Sequence, residues 1–141
     1  GKIKKDKKHY FVVCGDGEIN EGSIWEALLS ASKHKLNNLT LLIDYNKLQS
    51  YGKTSDILDL EPLTEKFKSF NFKTFNVNGH DIKEIESTLN KALKTKNKPS
   101  VVICHTIKGK GIDLAEGNSS WHHRSFLGDE DLLKIERSLG N

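Results

Sequence analysis

The chain has 141 residues, 35% of them hydrophobic and 29% charged, enough for one α/β domain with its own core. A formal net charge of +3 is too small to argue for a nucleic-acid partner, and no basic stripe interleaved with aromatic residues is present. No apolar run is long enough to span a bilayer and there is no signal-peptide pattern, so the expectation is a soluble, cytoplasmic protein.

The lysine-rich start, Lys2 to Lys8, reads as a solvated lead-in. Tyr10 to Cys14 is a short apolar run of the kind that forms a buried parallel strand. Gly15-Asp16-Gly17 follows, with glycines that let the backbone turn and approach a ligand. After Asn20, the residues Ile24, Ala27, Leu28 and Ala31 fall on one helical face, widened by Trp25 and Leu29. Trp25 is expected in the core. Glu21 is expected in the first helical turn, and the helix should point its free N–H groups at the ligand edge. A second apolar run, Leu39 to Ile43, leads into Asp44-Tyr45-Asn46-Lys47-Leu48, which completes a βαβ unit.

In that unit Asp16 and Asn46 each sit just past the C-terminal end of a strand, so both face the edge where open α/β sheets bind ligands. One carboxylate (Asp16), one amide oxygen (Asn46) and a backbone carbonyl from Leu48 form a hard oxygen set of low charge. Such a set suits a Mg2+ ion that takes its other ligands from phosphate and water.

Gln49 to Asp56 reads as a polar loop over the same edge. Pro62 is placed to start a short helix through Phe67 and Phe70, and Lys73 to Val77 is a third strand ending at the Asn78-Gly79 turn. Asp81 with Glu84 predicts a capping box for a helix through Ile82, Ile85, Leu89 and Leu93. His80-Asp81 is not taken as a catalytic pair, since Asp81 has the capping role. Ser100 to His105 is a fourth buried strand. Cys14 and Cys104, at the ends of apolar runs and without metal or redox spacing, read as reduced core thiols. Lys108-Gly109-Lys110-Gly111 puts two ammonium groups on a flexible turn at the ligand edge, where they would suit an anionic ligand. Trp121-His122-His123 ends a polar loop, and Asp129 to Leu139 reads as an amphipathic helix.

Gly15-Asp16-Gly17, a helix and a strand ending in Asn46 resemble the thiamine diphosphate motif. With Glu18 to Gly22, Asp44 to Gln49 and Thr106 to Gly111, the chain from about Phe11 to about Leu133 resembles transketolase. The resemblance implies an α/β fold with a mostly parallel sheet flanked by helices, the thiamine diphosphate-binding fold, in a single domain over residues 1–141. It implies thiamine diphosphate and Mg2+ as cofactors. Gly15, Asp16, Gly17, Glu18, Asn46, Leu48, Lys108 and His122 would bind the cofactor, Asp16, Asn46 and Leu48 would hold the metal, and His122 would act near the diphosphate and the sugar. It places Glu21 at an interface between chains, an alternative to a capping charge. His123 stands where many relatives have glycine, a departure that bears on the aim of His122.

The chain opens on Gly1 and holds no methionine, so the expectation is a processed chain or a piece of a longer one, lacking the N-terminal part of the family's domain. Nothing here resembles the pyrimidine-binding domain that carries the family's activating glutamate. The leading reading is therefore the diphosphate-binding part of a split transketolase that moves a two-carbon ketol unit from a ketose to an aldose. A pyrimidine-domain subunit would be its partner, in a hetero-oligomer such as a dimer of heterodimers. A deoxyxylulose-phosphate synthase-like or other thiamine diphosphate enzyme component, and a non-catalytic assembly partner, are the alternatives.

Overall fold

The computed structural model describes residues 1–2 and 4–140. Four parallel strands form one sheet: β1 (Tyr10–Gly15), β2 (Leu39–Tyr45), β5 (Lys73–Asn78) and β6 (Ser100–His105), in the order β1-β2-β6-β5. Between the first two lies α1 (Gly22–Lys33), which completes the expected βαβ unit, and the register pairs Cys14 with Ile43 and Gly15 with Asp44.

Alternation along the strands divides the core into two layers. Leu41, Ile43 and Tyr45 of β2 and Val101 and Ile103 of β6 meet Leu28 and Ala31 of α1 and Phe67 of α3 (Leu63–Ser69). On the other face, Val102 and Cys104 of β6 and Val77 of β5 meet Ile85 and Leu89 of α4 (Ile82–Leu93). Because β6 has a neighbour on each side and helices over both faces, its residues Ser100 to Cys104 are all buried. Trp25 has the core role expected of it: its ring stacks on Phe67 and tilts against Phe70, while Nε1 donates to the carbonyl of Ile19 at 2.8 Å. The edge strand β1 is less covered, with Phe11 47% and Val13 68% exposed.

Three local features differ from the sequence reading. A 3-10 turn, Glu18–Asn20, intervenes before α1, so Glu21 is the extended residue ahead of the helix and its side chain makes no capping hydrogen bond. The stretch after Asn46 is a small ribbon rather than an open loop: β3 (Leu48–Gln49) pairs antiparallel with β4 (Gly52–Lys53) and runs into α2 (Thr54–Ile57). Asp81 caps α4 by accepting from the N–H groups of Lys83 and Glu84, but the Glu84 carboxylate reaches past the cap and accepts from Asn78 N–H at 2.9 Å. The chain ends in α5 (Asp129–Ser138). Among the described residues, no helix is long and apolar enough to cross a membrane.

Candidate functional site

At the C-terminal edge of the sheet, the ends of β1 and β2 are bound into one corner. Asp16 donates its N–H to the Asp44 carbonyl at 3.2 Å and accepts the N–H of Lys47 on its carboxylate. That N–H is aimed by a left-handed backbone at Lys47, φ 64°, an uncommon conformation for a lysine. Asn46 Oδ1 accepts from Leu48 N–H at 3.0 Å, and its amide donates to one oxygen of Asp44 at 3.2 Å. The other Asp44 oxygen accepts the hydroxyl of Thr106, which starts the loop after β6.

Asp16 is 1% exposed. Burial pushes its carboxyl above the ordinary range; backbone N–H groups from Lys47 and Gly17 oppose the shift, and the charge of Asp44 adds to it. A buried carboxylate that its surroundings leave undercompensated favours a cation. Among the described residues, no group of three or more His, Cys, Asp and Glu side chains could hold a metal ion, so a cation here would need amide, carbonyl or ligand oxygens as well.

Next to this corner is a cavity of about 300 Å³. Its lining includes Gly15, Asp16, Gly17, Glu18, Asn46, Leu48, Lys108 and His122, all eight of the residues singled out from the sequence, together with Asp44, Gln49 and Ser50. A Cβ on Gly15 would meet nothing within 4 Å, so the space above it is open. Gly17 serves closeness rather than an unusual turn: its φ is −64°, and a Cβ there would lie 2.9 Å from that of Gln49. Glu18 lines the cavity while its carboxylate accepts from Gly15 N–H at 3.2 Å.

Lys108 reaches the cavity from a loop tightly folded on itself. Its carbonyl accepts from Gly117 N–H at 2.8 Å, and Gly109, at φ 72°, passes so close to Ala115 that a Cβ would sit 2.5 Å from that carbonyl oxygen. The neighbouring Lys110 is engaged elsewhere, in an ion pair with Glu116 at 2.7 Å.

His122 follows a 3-10 turn, Ser119–Trp121, capped by the Asn118 side chain. Its Nε2 lies 3.5 Å from Ser50 Oγ, and its Nδ1 is buried with no partner among the described residues. Burial, then the positive charges of Lys108 and His123, holds its pKa below the ordinary value. His123 turns to the same Ser50 hydroxyl, 2.9 Å from its Nε2, so the extra imidazole fastens the loop to the β3–β4 ribbon. Asp44, Ser50 and Thr106 were not singled out from the sequence. Asp44 and Thr106 carried one available signal, their places at or just past the ends of adjacent strands.

The family described as "Transketolase, thiamine diphosphate binding domain" matches residues 3–141. The chain belongs to this family. Within it, the chain is 44% identical over 135 residues to one subunit of the apulose-4-phosphate transketolase of Actinobacillus succinogenes, covering 96% of this chain and 49% of that protein. It is 40% identical over 113 residues to a 6-deoxy-6-sulfo-D-fructose transketolase subunit of a Clostridium species, covering 80% of this chain and 41% of that one. The transketolase structure from Campylobacter jejuni superposes with a TM-score of 0.85 at 32% identity, over 95% of this chain and 21% of that chain. The chain thus spans less than half the length of the curated relatives it matches. Its sheet and flanking helices are the thiamine diphosphate-binding fold of transketolases.

Proposed function

We propose that this chain is the diphosphate- and Mg2+-binding part of a thiamine diphosphate-dependent transketolase, with residues 1–141 acting as one domain. The observation that carries this reading is one cavity lined by Asp16, Asn46 and Leu48 together with Lys108 and His122. The donor set fits the group. Asp16 is a buried carboxylate short of compensating charge, the space above Gly15 is open, and His122 Nδ1 has no protein partner among the described residues.

In this reading Asp16, the Asn46 side chain and the Leu48 carbonyl hold Mg2+, with Asp44 orienting the Asn46 amide. Lys108 balances diphosphate charge, and the short backbone at Gly15 and Gly17 admits the ligand. When bound, thiamine diphosphate supplies the carbanion and electron-sink chemistry that breaks a carbon–carbon bond of a ketose. His122, kept neutral by its surroundings, donates a hydrogen bond or moves a proton near the cofactor diphosphate and the sugar.

Two of the relatives named above are called subunits, which supports a second, pyrimidine-binding chain as partner in a hetero-oligomer. Their sugars differ, one a 4-phosphate and one a 6-sulfo ketose, so the substrate class proposed is a phosphorylated or similarly anionic ketose with an aldose acceptor. Calorimetric titration of thiamine diphosphate and Mg2+ into this chain, alone and with a pyrimidine-domain chain, tests the reading. Binding that requires or tightens with the partner supports it; no binding under either condition overturns it.

A further inference from the structure

His80 stands beside the Asp81 cap of α4 but takes no part in it. Its ring Nε2 accepts the backbone N–H of Ile107 at 2.8 Å, across 27 residues of chain and one residue before Lys108. We infer that His80 is a positioning residue for the cofactor site: as a neutral imidazole it fixes the Ile107 peptide and so aims Lys108 into the cavity. The inference rests on the reading of Lys108 as a diphosphate-side group.

The ring works from a firm base. His80 N–H donates to Asn78 Oδ1 at 3.0 Å, Asn78 N–H to the Glu84 carboxylate at 2.9 Å, and Gly79 N–H to the His105 carbonyl at 2.8 Å. Gly79 lies flat on the exit of β6, where a Cβ would stand 2.3 Å from Thr106 Cγ2 and 3.2 Å from the His105 carbonyl oxygen. The turn that carries His80 is therefore seated on the first residues of the lysine loop.

The loop is pinned residue by residue. Thr106 N–H donates to the Tyr45 carbonyl at 3.2 Å, Ile107 N–H to His80, and the Lys108 carbonyl accepts from Gly117 at 2.8 Å. Of these three anchors only the middle one is a side chain. An N–H can donate to Nε2 only when that nitrogen is unprotonated, which puts the ring proton on Nδ1. A glutamine offers an amide oxygen in the same role, whereas an alanine offers nothing.

Amide hydrogen exchange at Ile107, in the ligand-free chain, reads the contact directly. Exchange should quicken in His80→Ala and return toward the parent rate in His80→Gln; an unchanged rate in His80→Ala overturns the inference. The consequence is read by titrating Mg2+ and thiamine diphosphate into each variant paired with a pyrimidine-domain chain. His80→Ala should weaken binding about fivefold, the worth of one ordinary hydrogen bond, and His80→Gln should restore it. In a Lys108→Ala background, His80→Ala should cost nothing further. An undiminished effect there means that His80 acts by another route, and overturns the inference. If Lys108→Ala alone leaves binding unchanged, the reading of Lys108 falls and this inference with it, whatever the Ile107 exchange shows.

Discussion

The backbone N–H of Lys47 donates to the carboxylate of Asp16, so the turn after β2 is tied to the turn after β1. Lys47 holds a left-handed backbone, φ 64°, at this point. A contact of this kind places the corner at Asp16 under the control of two strand ends at once, and it gives Asp16 a structural bond beside its proposed role as ligand.

Replacing Asp16 by asparagine separates those two roles. Because burial raises its folded-state pKa, the folded chain binds the proton more tightly than the unfolded one, and the ionised form subtracts stability at neutral pH. That loss is absent below the carboxyl's ordinary value of 3.8. Asparagine keeps an acceptor for Lys47 N–H without the charge. Asp16→Asn should therefore raise the melting temperature of the ligand-free chain at pH 7, by a margin that closes in acid, while abolishing Mg2+-dependent cofactor binding. Thermal unfolding across pH and calorimetry measure the two effects; a lower melting temperature at pH 7 would show that the carboxylate is chiefly a structural acceptor.

His122 should titrate below 6.5 when its ring is followed by NMR. Lys108→Ala should move the midpoint part of the way back, since the ammonium is the second cause and burial, the first, remains. A depressed histidine adds stability that is present above 6.5 and is lost as pH falls through its folded value, so unfolding should become easier across that window. A midpoint above 6.5 contradicts the neutral form assigned to it.

Two glycines, one lining the cavity and one in the lysine loop, should respond differently to alanine. Gly109→Ala forces a left-handed alanine at φ 72° against the Ala115 carbonyl, and should cost at least about 1 to 2 kcal/mol of stability in denaturant unfolding. Gly15→Ala points into open space and should change stability by less than about 0.5 kcal/mol, while its methyl group narrows the cavity and weakens cofactor binding. Equal affinities for parent and Gly15→Ala would remove Gly15 from the proposed binding surface.

Tyr45, 3% exposed, donates its hydroxyl to Glu61 at 2.7 Å. Tyr45→Phe should destabilise the chain by about 1 kcal/mol at pH 7, below the usual worth of a bond to a charged group because Glu61 is itself exposed. The Tyr45 hydroxyl, then the Leu63 N–H, hold the Glu61 carboxyl below its usual range, so this contribution is present above 4.5 and fades as pH falls through the folded value. Urea unfolding at pH 7 and pH 3 should show a large and a small difference, respectively.

The sheet strands and the α1 and α4 helices were legible because each carries a long apolar period: Tyr10 to Cys14 and Leu39 to Ile43 match β1 and β2 within two residues. The β3–β4 ribbon was not, since strands of two residues have no period to read. The eight residues that line the cavity were singled out by the family pattern and, for several, by their place after strand ends. Asp44 escaped because its value depends on partners, Asn46 and Thr106, that only the register brings together. The contact of His80 with the lysine loop escaped for a related reason. The ring's partner is a backbone N–H 27 residues away, and no side-chain pattern advertises such a contact.

The strand order also sets a timetable. Asp16 and Asn46 come from neighbouring strands early in the chain, whereas Lys108 follows β6, which must insert between β2 and β5. Closing β1 on β2 spans about thirty residues and closing β2 on β6 about sixty, a doubling that adds only about 0.6 kcal/mol of chain entropy. On a ribosome adding about 5 to 20 residues per second, the roughly sixty residues from Asn46 to Lys108 take about 3 to 12 s. For that interval the nascent βαβ unit bears the open side of β2 without its neighbour, and this is when a chaperone would have most to protect.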